Sequence, residues 1–468
     1  MTLTSTPRQG SKKYDPTRTG MFGLGFNSVY HLTDAPQFVS GEFHVVLDPM
    51  KVYYPGLHPN DSKAPGSMNR FVREPNFKQL RDQFAPFQAP CFGCDLTTQQ
   101  PYDGTLFRFP LRTEAQAQRA GQRGIGPAYP MEKVARQFEQ FQRTADEKLL
   151  FFQHVRSIEL WEWCDGESEP RQLYSATMCG ADRGERASLS DWLKSSLDRW
   201  EQKSGQEWKT TPGSTMAMLR TVDPSSVPRN TWKMVINIKD FARGQEREEH
   251  WWQRAGIGRE EAWQAATKDD RDGALTLWPA AAIAVRVHSH CAQGEPPRKF
   301  AGKAFATLPT QMKTGYPAHI NARWRLSNNR ASLKSGDALS EKVEVLWNRA
   351  LIRDTIAHLW AELLVELRHQ TPPLPTSVYY SLWPKRSLDG MEEGVQPSSE
   401  WDHVIDPIYR VLSAHDVLRV RDAGFSLSLH SQHCPDVGKW TSINDGGVWD
   451  MMVEVPSTDA KLKIRSAW

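Results

Sequence analysis

The chain has 468 residues, room for two or three domains with cores of their own. Its formal net charge of +3 is small and its Lys and Arg are scattered, which argues against nucleic acid as a partner. The apolar run Ala274 to Val287 is interrupted by Pro279 and is too short to span a bilayer; Met1 to Lys13 has no apolar core of a secretory leader, so a cytoplasmic, membrane-free chain is expected.

The first feature along the chain is Gly20-Met21-Phe22-Gly23-Leu24-Gly25, three glycines leading into the amphipathic run Phe26 to Leu32. Glycine permits positive φ and close approach to the backbone, and a helix starting there aims its free N–H groups at the turn, a geometry that can hold phosphate. The same spacing also suits a tight packed turn. Phe43 to Asp48 reads as a strand, residues 55–103 as an irregular connection, and Gly104 to Arg112 as an alternating half-buried strand. Met131 to Val155 carries apolar residues at helical spacing and Arg156 to Trp163 reads as a strand. A helix is expected over Ser190 to Lys203, with strands at Lys233 to Ile238 and Ala282 to His288. Between them, the charged Gln245 to Lys268, with its Trp251-Trp252 pair, reads as a helical insertion with an exposed polar face or a partner-binding patch. A long helix follows from Ser340 to His369, ended by Pro372 and Pro373, and helical patterning returns at Trp401 to Leu412.

Six cysteines are dispersed, and Cys91-Phe92-Gly93-Cys94 is a single CxxC with no paired partner, so ordinary reduced thiols are expected and no metal site. His288 and His290, at i and i+2, read as neighbours on one exposed strand face. No nucleophile–base pairing and no helix-spaced carboxylate pair points to a hydrolase of another kind.

Two blocks carry a family resemblance. Gly10-Ser11-Lys12-Lys13-Tyr14-Asp15-Pro16 and Gly20 to Asp34 resemble the ATP lid and following helix of the sacsin-type repeats, Hsp90-like members of the GHKL ATPase family. Gly302-x-x-Phe305-x-x-Leu308-Pro309, Pro317-x-His319-x-Asn321 and Asn329-Arg330-x-x-Leu333 are similar to a second pattern of those repeats, and to the Hsp90 middle-domain loop whose Arg reaches the γ-phosphate. Val378 to Pro384 resembles the repeats again.

The resemblance implies an α+β chain: the C-terminal part of a GHKL (Bergerat) α/β sandwich over 1–165, starting inside the ATP lid, an Hsp90-middle-like α/β domain over 166–340, and a helical and irregular region over 341–468. It implies ATP and Mg as cofactors, with Gly20, Phe22, Gly23, Gly25, Phe26 and Thr105 beside nucleotide and Arg330 as the catalytic cation. On residues alone, Thr105 equally suits a strand and Arg330 a role in holding its own loop. Where Hsp90 has Gln four residues after that Arg, this chain has Lys334. The family's Glu- and Asn-bearing helix and its DxGxG turn lie upstream of the lid, and no DxGxG occurs here. The expectation is therefore a chaperone-related protein in incomplete copy, with weak or absent ATP affinity and ATPase activity only if the upstream elements are supplied. The alternative is a nucleotide-free protein-binding module. Protein clients or co-chaperones, and self-association, are the partners implied.

Overall fold

Alternating apolar residues and short turns build two units, seen in a computed structural model that describes residues 26–53, 65–74, 78–79, 84–88, 92–120, 126–180, 183–208, 211, 214–268, 278–291, 300–327, 330–334, 339–384, 400–421 and 438–442. Unit 1 comprises 1–144 and 159–174, unit 2 comprises 145–158 and 175–468.

Unit 1 is organised by a four-stranded antiparallel sheet of β1 (Gln37–Gly41), β2 (Phe43–Leu47), β3 (Gly66–Arg70) and β4 (Tyr102–Arg108), in the order β3-β2-β1-β4. Phe43 to Asp48 is thus a strand as its pattern predicts, and the connection 55–103 hides the edge strand β3, whose Ser, Asn and Arg give little strand signal. One sheet face is buried: Val39 and Leu106 pack with Phe71, Phe84, Phe87 and Leu96. His44 sits edge-on to Phe84 and Phe87, and burial, aided by Arg108, pushes its pKa down to about 4. Two helices follow, α1 (Glu114–Ala120) and α2 (Met131–Gln142). The helix expected from Met131 to Val155 breaks at Arg143-Thr144, and the five-residue α3 (Ala145–Leu149) takes up its end.

A second sheet has eight strands, six of them wholly within unit 2. Its strands are β5 (Ser157–Glu162), β6 (Arg171–Cys179), β7 (Asn230–Asp240), β8 (Gln245–Ile257), β9 (Ala280–Cys291), β10 (Lys303–Ala306), β11 (Leu308–Lys313) and β12 (His319–Ala322), in the order β11-β10-β12-β9-β8-β7-β6-β5. All described pairings are antiparallel except β10 with β12.

The expected helical insertion at Gln245 to Lys268 is corrected by this sheet. Gln245–Ile257 is its long central strand, paired with β7 and β9, and only α6 (Glu261–Lys268) is helical. Trp251 and Trp252 are buried on opposite faces and form no exposed patch. The period of two is masked because a buried carboxylate, Glu249, occupies an inward position: it accepts from Trp251 Nε1 at 3.1 Å and pairs with Arg247 and Arg286 at 3.3 and 3.2 Å. Arg247 also pairs with Asp146 of α3 at 2.7 Å. Burial, and then Asp146, raise the Glu249 pKa, while the two arginines oppose the rise.

The other sheet face is covered by the long helix, found as α7 (Leu339–Ala350), a π-helical stretch Leu351–Ile356 and α8 (Ala357–Leu367). Its buried stripe of Ile352, Ile356, Leu359, Leu363 and Leu367 packs in one core with Trp252, Ile283 and Val285. The Ser190 to Lys203 helix is the latter part of α4 (Arg183–Ser204), and Trp401 to Leu412 folds as a 3-10 turn and α10 (Ile405–Leu412), after the short helices α5 (Ser214–Leu219) and α9 (Thr376–Ser381). A two-stranded pair, β13 (Asp416–Arg421) with β14 (Gly438–Ser442), ends the described chain.

Candidate functional site

The glycine-rich signal is only partly within the described residues. Gly20, Phe22, Gly23 and Gly25 lie outside them, as do Cys91, Asn328 and Asn329. From Phe26 the chain forms a 3-10 helix, Phe26–His31, where the pattern predicts an amphipathic helix. Its exit is fixed by a residue the sequence reading did not single out. Arg112 donates from Nε to Asp34 Oδ1 at 2.6 Å, from Nη2 to Tyr30 O at 2.6 Å and from Nη1 to Pro127 O at 2.9 Å. Asp34 accepts in turn from Tyr53 OH at 2.9 Å. The Arg112 side chain is 1% exposed and that of Asp34 7%. A buried cation serving the last carbonyls of a short helix satisfies groups that water would otherwise have to reach.

Phe26 and Thr105 share the sheet face opposite the buried core. The Phe26 ring lies 6.4 Å from Phe38 and 6.1 Å from Phe107, and Phe38 and Phe107 are 5.6 Å apart. Ser40 and Thr105 pair across β1 and β4, their hydroxyls 2.8 Å apart. Gly104 explains why the pair is Gly-Thr: at φ 153° it adjoins the register shift between β1 and β4, in a conformation that favours glycine. Thr105 is exposed, Phe107 is 46% exposed and Phe43, on the same face, 36%. The arrangement offers aromatic surface and two hydroxyls to whatever covers it.

In unit 2, the second block divides into scaffold and tip. Gly302 is fitted against backbone: an added Cβ would lie 2.1 Å from Ala318 O and 2.3 Å from Tyr316 O. Phe305 is buried, its ring 4.8 Å from that of Phe151 and tilted to it by 57°. His319 is buried between Trp251, Phe300 and Phe305, and its Nδ1 accepts from the Lys303 N–H at 3.1 Å. Asn321 Oδ1 accepts from the Thr307 N–H at 2.7 Å, at a residue with φ 68°.

Arg330 crowns the loop. Leu326 bridges Leu333, Lys334 N donates to Arg325 O at 2.8 Å, and Asn348 clamps Arg325 from its side-chain amide, accepting at 2.8 Å and donating at 2.8 Å. Arg330 itself is exposed, with φ 57°, and its N–H donates to Ser327 O at 2.8 Å. An exposed arginine held in the left-handed region by its neighbours stores strain at the tip.

Among the described residues, Cys94 is buried and its thiol is pushed up to about 11 by burial and Asp95, so it is inert. None of the described helices is long and apolar enough to cross a membrane. A surface cleft of about 510 Å3 lies between α4 and residues 218–226, lined by Trp192, Trp200, Arg199 and Lys203 on one side and Met218 and Val222 on the other.

Comparison with known proteins shows what these features are similar to. The Sacsin domain family model matches residues 6–175. Human Sacsin is 26% identical over 423 residues, which cover 87% of this chain and 8% of Sacsin. The chain thus spans a small fraction of the length of that relative. The matched span holds both the glycine-rich lead-in and the sheet that carries Phe26 and Thr105, and the wider alignment takes in most of the remaining chain. Residues 6–175 of this chain are thus similar to the Sacsin domain, and most of its length is similar to part of human Sacsin.

Proposed function

We propose that this chain is part of a sacsin-like, Hsp90-type, chaperone-related protein, and that its unit 1 is the sheet wall of a GHKL nucleotide site. The observation that carries the reading is the sheet face on which Phe26, Ser40 and Thr105 stand exposed or half-buried beside aromatic rings. In such a site Thr105 lies beside adenine, the glycines Gly20, Gly23 and Gly25 with Phe22 and Phe26 form the lid, and Mg-ATP is the ligand. Arg330 would supply positive charge toward the γ-phosphate, and its strained, exposed setting suits a group held ready for a partner. On this reading the acid and amide of the family's metal-binding helix and its DxGxG turn are contributed from outside these residues, and the chain by itself is weak or inactive toward ATP. We further propose a cytoplasmic setting, with protein clients or co-chaperones as partners.

Titration of the purified chain with Mg-ATP by calorimetry tests this. No binding, or binding well above the micromolar range, is expected for the chain alone, with a gain of affinity when a sacsin-type segment bearing the Glu/Asn helix and DxGxG turn is added. A submicromolar dissociation constant for the chain alone overturns the proposed division of the site. No gain on adding that segment favours a second reading, a nucleotide-free protein-binding module, which the exposed rings of Phe43 and Phe107 support.

A further inference from the structure

We infer that His250, His288 and His290 form a binding site for a divalent transition metal ion, with Zn2+ as the representative ligand. The sheet makes the site. His250 of β8 stands opposite His288 of β9, and Glu248 stands opposite His290. A register shift just beyond this pair, where Trp251 faces Arg286, turns His288 and His290 onto the same face as His250 and Glu248. Glu249 points to the other face, into its arginine pairs, so the histidine face is separate from the buried ionic cluster.

The spacing fits the chemistry. Zn–N bonds of about 2.0–2.1 Å in tetrahedral array place the centroids of coordinating imidazoles roughly 5 Å apart. The rings of His250 and His288 are 5.5 Å apart, and those of His288 and His290 6.5 Å apart and nearly parallel. Among the described residues no three donors already converge on one point, so binding requires the rings to turn. His288 and His290 are exposed and can turn at the cost of side-chain freedom alone. His250 is held: its Nε2 lies 2.6 Å from Glu248 Oε1. With Nε2–H donating to that carboxylate, Nδ1 carries the lone pair, the carboxylate–histidine–metal relay that fixes a ligand's tautomer. Three protein nitrogens leave a fourth position for water. The site is independent of nucleotide binding.

The test is a Zn2+ titration of the full chain by calorimetry, with the Co2+ visible spectrum as a second readout. Because the chain has 14 histidines and six cysteines, variants assign the site. Expected are one saturable event removed by His288→Ala and by His250→Ala, an affinity lower by about tenfold or more in Glu248→Gln, and an intense four-coordinate Co2+ spectrum lost in the same variants. These side chains are exposed or half-buried, so far-ultraviolet dichroism and apo thermal midpoint should match the parent chain. Absence of saturable binding in the parent, equal binding in His288→Ala, or only the weak six-coordinate Co2+ spectrum overturns the inference.

Discussion

Arg112 and Asp34, 78 positions apart, form a buried ion pair that doubles as the clasp of the segment following the glycine-rich lead-in. Truncating one partner strands the other charge away from water, a loss of about 3–5 kcal/mol. Arg112→Met should therefore lower the denaturation midpoint steeply and open residues 26–34 to protease. The double variant Arg112→Met/Asp34→Leu should recover part of the loss. A single variant of parental stability in urea titration would show that the clasp is not energetic.

Gly302→Ala tests the scaffold under Arg330. Its new methyl would meet two carbonyl oxygens of the Tyr316 to Ala318 turn, and backbone cannot swing aside as a side-chain tip can. Overpacking of this kind costs about 1–3 kcal/mol. A thermal midpoint within a degree of the parent would contradict the fit.

Asp354 caps α6 from the π-helical stretch, accepting from the N–H groups of Arg259, Glu260 and Ala262 at 3.3, 2.9 and 2.9 Å. Burial pushes its pKa up, but hydrogen bonds from His358 and these N–H groups outweigh that and set it below the ordinary value. The hydrogen bond to Asp354 raises His358 against the effect of burial. The lowered acid stabilises the fold above its unfolded pKa of about 4, and that contribution is lost as pH falls through the folded value. The raised base stabilises it below about pH 6.5, lost as pH rises through its higher folded value. His358→Gln should thus cost most between about pH 4 and 6.5 and little in alkaline buffer. Thermal midpoints of both proteins across that range read the difference, and a gap that widens with pH would be the wrong sign.

Phe107→Ser removes an exposed ring from the open sheet face without touching the Val39 core. It should reduce self-association in sedimentation and reduce binding of a hydrophobic dye. Unchanged association would locate the contact elsewhere.

Arg330→Gly separates stability from function. Relief of a left-handed non-glycine residue is worth about 1–2 kcal/mol, set against about 0.5–1 kcal/mol of added chain entropy in the unfolded state. The variant should be as stable as the parent or slightly more so. Any nucleotide turnover reconstituted with added segments should nevertheless fall. A large drop in stability would mean that the side chain holds its own loop.

What could be read in the sequence was what repeats locally. The apolar stripe Ile352, Ile356, Leu359, Leu363 and Leu367 announces the long helix, and the alternating Gly104 to Arg112 announces the strand bearing Thr105. What could not be read depends on distant pairing. β8 looks helical because its inward Glu249 is neutralised by Arg286, 37 residues away. Arg112 is one arginine among many until the fold sets it against Asp34, and His250 meets His288 only through strand register. The Gly-Thr pair was legible as a strand signal; its cross-strand partner Ser40 was not.

The reach of Asp354 also bears on how the chain is made. Ala262 waits for an acceptor 92 residues downstream. At a synthesis rate of roughly 5–20 residues per second, that wait lasts on the order of 5–20 s. For that interval the nascent α6 emerges with its leading amides uncapped. Vectorial synthesis thus leaves this helix start unfinished until the long helix is translated, and sites of ribosome pausing between residues 262 and 354 set how long it stays so.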